Sequence, residues 1–324
     1  MRPLALIALL IGSLAPAAAT AAPLELVREG LPHDALFDIA IDGAAGFAVG
    51  RFGALLATTD GGASWEAQPA LGETALTALA LAGERVLIVG QRGAIHRREG
   101  RGSFAAVASG TSERLLGVAL HDSGLAVAVG GFGTVLVSAD GGLGWRQVAL
   151  DWESLNAEGL EAHLYDAHIN AAGDIFVVGE FGLVLRSRDR GESWEALAGG
   201  DASLFALHFA ESGHGFAVGQ NGTVLHSDDG GGTWARLEVD SRANLLDVWA
   251  SARGEVVIVG MRALLRSRDG GANWAVATGR GVERSWYQAL ASGIVNREGN
   301  GESPKERLYA VGQMGRIVTL GQPD

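Results

Sequence analysis

The sequence predicts an all-β protein: a seven-bladed β-propeller of four-stranded blades, with its ring closed by an N-terminal strand. A Val-Gly pair recurs seven times, mostly at intervals of about 40 residues, which is the length of one propeller blade. A glycine-rich turn that ends in tryptophan follows most of these pairs. The 324 residues include 49 glycines but only 7 prolines, as expected for many tight turns between short strands.

The Val-Gly pair opens a turn in each repeat. The seven pairs are Val49-Gly50, Val89-Gly90, Val129-Gly130, Val178-Gly179, Val218-Gly219, Val259-Gly260 and Val311-Gly312. In six of them a second glycine follows, and these glycines are Gly53, Gly93, Gly133, Gly182, Gly222 and Gly315. The sixth repeat has Met261 and Arg262 instead, followed directly by Ala263. We therefore expect a shorter turn there.

Each repeat is predicted to form four strands, which we name A to D in chain order. In the fifth repeat these are Leu204–Phe209, Gly215–Val218, Thr223–Ser227 and Thr233–Glu238. Glycine-rich turns separate B from C and C from D. A β-helix solenoid would have much shorter repeats, so the pattern favours a propeller.

The ring needs one strand from the other end of the chain. The seventh repeat stops after its C strand, because the sequence ends at Asp324. Leu24–Arg28 precedes the first A strand, in the position that a D strand holds in other repeats. We expect this segment to complete the last blade, which would also cover an exposed sheet edge.

The C–D turn carries the motif S/T-x-D-x-G-x-x-W, known as the Asp-box. Its aspartates and tryptophans are Asp60 and Trp65, Asp140 and Trp145, Asp189 and Trp194, Asp229 and Trp234, and Asp269 and Trp274. The second repeat has a decayed copy that ends in Phe104, and the seventh has none. A carboxylate that accepts turn N–H groups, with a glycine at positive φ, predicts a structural role. Catalytic acids or calcium ligands are the alternative, but one aspartate per blade cannot converge on one ligand.

The first 22 residues have the pattern of a signal peptide. Arg2 precedes an apolar run, Leu4–Leu14, and small residues with Ala-x-Ala spacing follow it. The run is too short for a bilayer span, which needs about 20 residues; a retained anchor is the alternative. We predict a cleaved signal peptide at 1–22, a single propeller domain at 23–324, no integral membrane segment in the mature chain, and a periplasmic or secreted location.

Charge and composition exclude several kinds of partner and chemistry. The chain has 25 basic and 37 acidic residues, a formal net charge of −12, which argues against nucleic-acid binding. The absence of cysteine excludes disulfides, thiolate metal sites and cysteine nucleophiles. Familiar catalytic and nucleotide-binding motifs are absent from the sequence. We predict no enzyme activity, catalytic residue, metal or cofactor.

A set of arginines is the candidate binding surface. Alternating strand direction places B–C turns and D–A loops on one face of the ring, opposite the Asp-boxes. The arginines predicted there are Arg51, Arg92, Arg262 and Arg316 near B–C turns, and Arg114 and Arg284 in D–A loops. Guanidinium groups suit docking to carboxylate-bearing protein surfaces. The alternative is that they are ordinary solvated turn residues.

Two long D–A connections raise an enzymatic alternative. They span residues 151–163 and 279–285, and Tyr165 and Tyr287 follow them. In a glycosidase one tyrosine would be the nucleophile, with Glu158 or Glu161 as acid or base. The preferred interpretation is that both tyrosines pack in one column of the A strands with residues such as Phe37.

The repeated pattern VGxxGxLxxSxDGGxSW resembles that of the photosystem II stability and assembly factors, seven-bladed lumenal propellers of cyanobacteria and plastids. The resemblance extends over about residues 24–321 and is clearest at Val49–Trp65, Val178–Trp194 and Val218–Trp234. It implies a non-enzymatic protein that helps insert and stabilise new reaction-centre subunits. It also implies an arginine patch for docking, whose counterparts by position are Arg51, Arg92, Arg262 and Arg316.

Composition gives an expectation about the source. Lys305 is the only lysine, and alanine and arginine are abundant, which is typical of a high-GC bacterium. We expect a member of this family from a bacterium without photosystem II. The favoured function is an exported, non-enzymatic scaffold or assembly factor that docks a membrane or envelope protein complex. The alternatives are a glycan-binding or sialidase-type glycan-cleaving propeller, with carboxylates converging in the central funnel, and a structural module of a larger envelope assembly.

Overall fold

Seven four-stranded antiparallel sheets form a closed ring, as predicted from the repeats. A computed structural model describes residues 24–157, 159–295 and 305–321. The predicted signal peptide, residues 1–22, lies outside the described residues, and so does Glu158. Neighbouring A strands contact one another all the way round the ring, including the first against the last. The fold class inferred from the sequence, a seven-bladed β-propeller, is therefore confirmed.

The strands follow the predicted A-to-D order in every blade. The A strands are β2 (Leu36–Asp42), β6 (Leu76–Ala82), β10 (Leu115–Leu120), β14 (Leu164–Ile169), β18 (Leu204–Phe209), β22 (Leu245–Ala250) and β26 (Tyr287–Val295). The B strands are β3 (Ala45–Gly50), β7 (Arg85–Gly90), β11 (Ala126–Gly130), β15 (Ile175–Gly179), β19 (Gly215–Gly219), β23 (Val256–Gly260) and β27 (Lys305–Gly312). The C strands are β4 (Leu55–Thr58), β8 (Ile95–Glu99), β12 (Val135–Ser138), β16 (Val184–Ser187), β20 (Val224–Ser227), β24 (Ala263–Ser267) and β28 (Ile317–Leu320). The D strands are β5 (Glu66–Gln68), β9 (Ala105–Val107), β13 (Arg146–Val148), β17 (Glu195–Ala198), β21 (Ala235–Leu237), β25 (Ala275–Val276) and β1 (Leu24–Arg28).

Short helices occupy some connections. Two α-helical turns, α1 (Trp152–Leu155) and α2 (Arg280–Glu283), lie in the long D–A connections. Three B–C turns are 3-10 turns, at Arg51–Gly53, Gln91–Gly93 and Gln220–Gly222. The D strands are shorter than predicted. In blade 5 the strand starts after Thr233, because that residue bonds back to the Asp-box carboxylate.

The N-terminal strand closes the ring. β1 pairs antiparallel with β28, with Leu24 opposite Leu320, and forms the outer strand of blade 7. Nη1 of Arg28 also donates to the carbonyl of Gly315 at 3.1 Å. Arg28 and Gly315 are 287 positions apart in sequence. Blade 7 therefore becomes the neighbour of blade 1.

The Val-Gly pair has a packing reason. The valine of the pair is buried in the B strand of every blade. The glycine lies against the start of the A strand, and a Cβ placed on Gly219 would be 1.9 Å from the carbonyl oxygen of Ser203. Its backbone is extended, with φ of −170°, so the requirement is for space and not for a left-handed conformation.

Turn contacts define two faces of the ring. B–C turns bond to D–A loops, as where Gly133 N donates to the carbonyl of Ala162 at 2.9 Å. C–D turns bond instead to A–B loops, as where Gly141 N donates to the carbonyl of Gly124 at 2.8 Å. We call these the B–C face and the C–D face. The first carries the candidate arginines and the second carries the Asp-boxes.

Candidate protein-docking face

All six candidate arginines lie on the B–C face. Five are exposed, namely Arg51, Arg92, Arg114, Arg262 and Arg284. The sixth, Arg316, is half-buried and forms an ion pair with Glu29 at 2.6 Å. Their places within the turns differ, since Arg51 is the first residue of its turn and Arg92 the second. The set is therefore defined by its face and not by one repeated geometry.

Ring closure brings these arginines into one region. Two lie in the first third of the chain, Arg114 lies just beyond it and three lie in the last third, but blades 6, 7, 1 and 2 are consecutive in the ring. We call the B–C face of these blades, with the loop from blade 2 to blade 3, the basic arc. Its cations are Arg51, Arg92, Arg114, Arg262, Arg280, Arg284 and Arg316.

Several acidic residues of the basic arc bond to their surroundings. Glu29 pairs with Arg316. Asp34 accepts the backbone N–H of Leu31 at 2.7 Å, and Glu283 accepts that of Gly279 at 3.0 Å. The rest of the B–C face is mainly acidic, with Asp151, Glu153, Glu161, Glu180, Asp201 and Asp240 on blades 3 to 5 and their loops. Arg242 also lies there, and Glu73 and Glu113 lie in loops of the basic arc. The face is thus polarised within a chain whose net charge is −12.

Every B–C turn holds a non-glycine residue in the left-handed conformation. These residues are Phe52, Arg92, Phe132, Phe181, Asn221, Arg262 and Met314, with φ between 50° and 62°. Such a conformation costs about 1–2 kcal/mol for a residue with a Cβ. The sequence reasoning missed this feature, although the position is the second x of VGxxG. The turns hold these seven residues at equivalent places round the ring.

Large apolar side chains lie among the arginines. Phe52 is 59% exposed and Met261 is 51% exposed, both in the basic arc. The guanidinium of Arg51 lies over the Phe52 ring, 4.9 Å from its centre. Phe132, in the next blade round, is 64% exposed. Exposed aromatic and arginine side chains together are typical of protein-binding surfaces.

The Asp-boxes on the C–D face are internally satisfied. In blade 5, Ser227 Oγ donates to Asp229 Oδ1 at 2.8 Å and accepts Gly231 N at 2.8 Å. Asp229 also accepts the backbone N–H and hydroxyl of Thr233 at 2.9 and 2.8 Å. These bonds, led by the Thr233 N–H, lower the pKa of Asp229 to about 2. An ionised carboxylate with its oxygens occupied serves the turn and is unsuited to donating a proton.

Replacing Ser227 with alanine is expected to destabilise the fold. The buried N–H of Gly231 would lose its acceptor, at a cost of about 1–3 kcal/mol. Chemical denaturation would measure the loss. Ser212→Ala, at an exposed A–B loop position of the same blade, is the control and should leave the midpoint unchanged. Equal effects of the two substitutions would contradict the assignment.

Three aspartates that the sequence reasoning did not single out join the A strands. Each follows a β-bulge in its A strand and bonds both to the next N–H of its own strand and to an N–H of the next blade. Asp38 accepts Ile39 N and Leu79 N, both at 2.7 Å. Asp166 and Asp247 repeat this bridge to blades 5 and 7, at 3.0 and 2.6 Å.

The surroundings keep these carboxyl groups from ionising easily. Burial raises the pKa of Asp38 to about 7 and that of Asp166 to about 6, and it raises that of Asp247 well above its usual value. The glycosidase alternative expected carboxylates converging in the central funnel. Asp38 and Asp166 are near enough to Asp247 to raise its pKa, but the oxygens of all three side chains hold adjacent blades together. At this position the other blades have Ala78, Gly117, Ala206 and Ala289. An aspartate where the other repeats have alanine or glycine was therefore the sequence feature that could have identified these three residues.

The two candidate tyrosines are not equivalent. Tyr287 is buried, and its hydroxyl donates to the carbonyl of Gly281 at 3.2 Å. In the sheet it lies opposite the B-strand glycine, as Leu36 does in blade 1. The predicted packing column with Phe37 is therefore wrong for Tyr287. Tyr165 does occupy that column and donates to Glu180 at 3.5 Å. Burial and Glu180 raise the pKa of Tyr165, whereas a nucleophilic tyrosine needs a lowered pKa.

The described parts of the chain contain neither a candidate metal site nor a candidate membrane-spanning helix. Residues 24–157, 159–295 and 305–321 contain no group of three or more histidine, aspartate or glutamate side chains placed to hold a metal ion. The helices within these ranges are all too short or too polar to cross a bilayer.

The molecule is a seven-bladed Asp-box propeller with a polarised B–C face. Residues 199–278, which include blades 5 and 6, match the model of the family described as photosynthesis system II assembly factor YCF48. The resemblance drawn from the repeats is thereby confirmed, and the chain fits a photosystem II assembly factor-like family. A comparison with curated proteins gave no match.

Solved structures of other proteins share the fold. YCF48 bound to a D1 peptide is 20% identical with a TM-score of 0.68, and the alignment covers 93% of this chain and 96% of that one. YCF48 from Cyanidioschyzon merolae is 18% identical with a TM-score of 0.67, covering 93% and 98%. Streptogramin B lyase is 10% identical with a TM-score of 0.76, covering 94% and 99%. At these identities the likeness establishes the architecture alone.

Proposed function

We propose that this protein is an exported, non-enzymatic scaffold or assembly factor that docks a membrane or envelope protein complex through the basic arc. The observation that carries the proposal is the meeting of the six arginines, from both ends of the chain, beside the exposed rings of the B–C face. The family match and the solved complex of a YCF48 with a D1 peptide support a protein partner.

Site-specific crosslinking tests the docking face. A photoreactive phenylalanine analogue at Phe52 should crosslink to a discrete partner in the native envelope. The same analogue at Leu143, which is 61% exposed on the C–D face, is the matched control and should not. Equal yields from both positions, or none from position 52, would contradict docking through the basic arc.

Charge reversal tests the arginines. The double substitution Arg51→Glu with Arg92→Glu should reduce the crosslink at position 52 at least ten-fold and leave the unfolding temperature unchanged, because both side chains are exposed. Arg101→Glu with Arg188→Glu makes the same charge change in C–D turns and should have no effect. An unchanged crosslink in the first variant would refute the arginine contribution.

Export and the absence of catalysis belong to the same proposal. Cell fractionation with N-terminal sequencing tests cleavage after residue 22. The propeller fold also serves enzymes, as the likeness to streptogramin B lyase illustrates. Incubation with sialosides and envelope glycans should give no turnover, and measurable hydrolysis would favour the glycosidase alternative.

A further inference from the structure

Six of the seven interfaces between blades contain an aromatic side chain from a C–D turn. Each of these residues packs into the apolar cluster between its own blade and the preceding one. In ring order they are Trp65, Phe104, Trp145, Trp194, Trp234 and Trp274. The Asp-box turn is therefore also a plug that fills the gap beside the neighbouring blade.

The interface between blades 6 and 7 has no such plug. Blade 7 takes its D strand from the N-terminus, and within the described residues, which reach position 321, no C–D turn follows β28. A cavity of about 750 Å³ opens at this interface on the C–D face and extends to His208, Phe209 and Glu211 of blade 5. Its apolar walls include Trp249, Leu264, Leu308 and Leu320. The volume is within the usual range for a ligand site.

A buried donor in the cavity wall lacks an acceptor. Arg266 is only 13% exposed; its Nη1 donates to the carbonyl of Gly321 at 3.0 Å and its Nη2 bonds to the Glu255 carboxylate. Its Nε is buried and has no hydrogen-bond partner among the described residues. A buried donor without an acceptor destabilises a protein and requires an explanation.

Another blade shows what that donor meets when the turn is present. Arg97 in blade 2 and Arg266 in blade 6 occupy equivalent positions in their C strands. Arg97 lies opposite Leu87 and Arg266 lies opposite Val257. Arg97 Nε donates to the carbonyl of Gly141 at 2.8 Å, and Gly141 belongs to the Asp-box turn of the next blade. Arg186, at this register in blade 4, instead donates its Nε to Glu195 at 2.9 Å. Arg266 Nε has neither kind of acceptor among the described residues.

We propose that this cavity binds a turn of another protein that inserts an aromatic side chain and directs a backbone carbonyl at Arg266 Nε. The inserted turn would replace the missing Asp-box of blade 7. Residues 1–23, 158, 296–304 and 322–324, which the structure does not describe, include no aromatic residue, so these segments do not supply the ring. The site is on the opposite face from the basic arc and is independent of it.

The cavity rim sets further requirements on the partner. Arg253, Glu211 and Glu306 lie among the lining residues, with Ser251 and Ser292 between them. Both signs of charge are present, so the rim suits the polar backbone and side chains of a turn. The apolar walls favour an aromatic ring, and the unpartnered Nε of Arg266 favours a carbonyl oxygen as its acceptor.

A peptide with the sequence of the chain's own residues 267–276 is the probe, since this Asp-box turn fills the equivalent gap between blades 5 and 6. Isothermal titration into the chain beginning at residue 23 should show saturable binding. A peptide with alanine in place of the tryptophan should bind at least about ten-fold more weakly, because the ring provides most of the buried area. Failure of the first peptide to saturate the protein would refute the proposal.

Three variants place the binding in the cavity. Replacing residues 321–324 by the sequence of residues 268–277 supplies the turn in cis, and it should abolish peptide binding and raise the unfolding temperature by several degrees. Arg266→Met should weaken binding, whereas Arg186→Met, at the same strand position in blade 4, should not. Undiminished binding to the cis variant would place the peptide elsewhere.

Two other experimental outcomes would identify a different occupant of the cavity. Deletion of residues 322–324 should leave peptide affinity unchanged, and a gain in affinity would show that the C-terminus fills the cavity. Analytical ultracentrifugation should find no concentration-dependent dimer that the cis turn abolishes. Such a dimer would identify a second copy of the chain as the occupant and overturn binding of another protein.

Discussion

The protein is expected to lose stability as pH rises from 6.5 to 8.5. Carboxyl groups whose folded pKa is raised contribute stability that is complete below their unfolded pKa, near 3.8, and is lost as pH rises through the folded pKa. For Asp38 the folded value is about 7, so its ionisation falls inside this window. The expected loss from Asp38 is about 1 kcal/mol, and Asp247, whose pKa is raised in the same direction, acts with the same sign.

Buried histidines change stability mainly in the lower part of this window and below it. Burial holds the pKa of His168 at about 3 and that of His208 at about 4, both below the ordinary value of 6.5. These groups cost stability as pH falls through the unfolded value of 6.5, because the unfolded chain takes up protons and the folded chain does not. Near the lower edge of the window they therefore oppose the aspartate effect, and the comparison of wild type with an aspartate variant separates the two. The Asp-box aspartates act lower still, since the pKa of Asp189 and Asp229 is about 2.

Urea denaturation at several pH values tests the assignment. Asp247→Asn should reduce the slope of stability against pH between 6.5 and 8.5, because the amide does not titrate. Its stability at pH 6.5 should fall by about 1–2 kcal/mol, because one backbone N–H loses its acceptor. Asp228→Asn, on the exposed C–D turn, is the control. A wild-type slope that rises or stays flat over this window would contradict the prediction.

Removing β1 is expected to destabilise the whole ring. Deletion of Leu24–Arg28 would strip the pairing partner from β28 and expose an unpaired strand edge in blade 7. Val27 and Leu24 also pack against apolar clusters at the two sides of blade 7. We expect a loss of about 3–6 kcal/mol from backbone bonds and apolar area, with increased aggregation. Guanidinium denaturation and light scattering would measure both.

A single substitution separates strand pairing from side-chain burial. Leu26 is 58% exposed within β1, so Leu26→Glu keeps the backbone pairing and should change stability by less than about 0.5 kcal/mol. A peptide of residues 23–30 added to the deletion variant should restore part of the lost stability. Near-wild-type stability of the deletion variant would show that ring closure does not depend on this strand.

Arginine positions could be named from the sequence, but their neighbours could not. Each candidate arginine was found from its turn or loop, because a turn pattern is local. Their grouping depends on ring closure, which places Arg262 and Arg316 near Arg51. The acidic half of the same face and the left-handed conformations at Phe52 and its equivalents also became visible only in three dimensions.

The inter-blade aspartates illustrate the same limit. Asp38 lies in an apolar strand pattern, and the sequence shows that it is unusual there. Its partner is Leu79, 41 residues away in the next blade, and no local pattern indicates that contact. The rise in its pKa comes from enclosure by several blades at once. The role of Asp38 could therefore be assigned only from the three-dimensional structure.

By itself the sequence determined the number of blades, the order of their strands, the Asp-box turns and the strand that closes the ring. These follow from short patterns that repeat with the period of one blade, and each copy corroborates the others. Only the tertiary structure decided the polarised B–C face, the bridges between A strands and the cavity beside Arg266. All three arise where one blade meets the next, so they depend on side chains about 40 residues or more apart that only the assembled ring brings into contact.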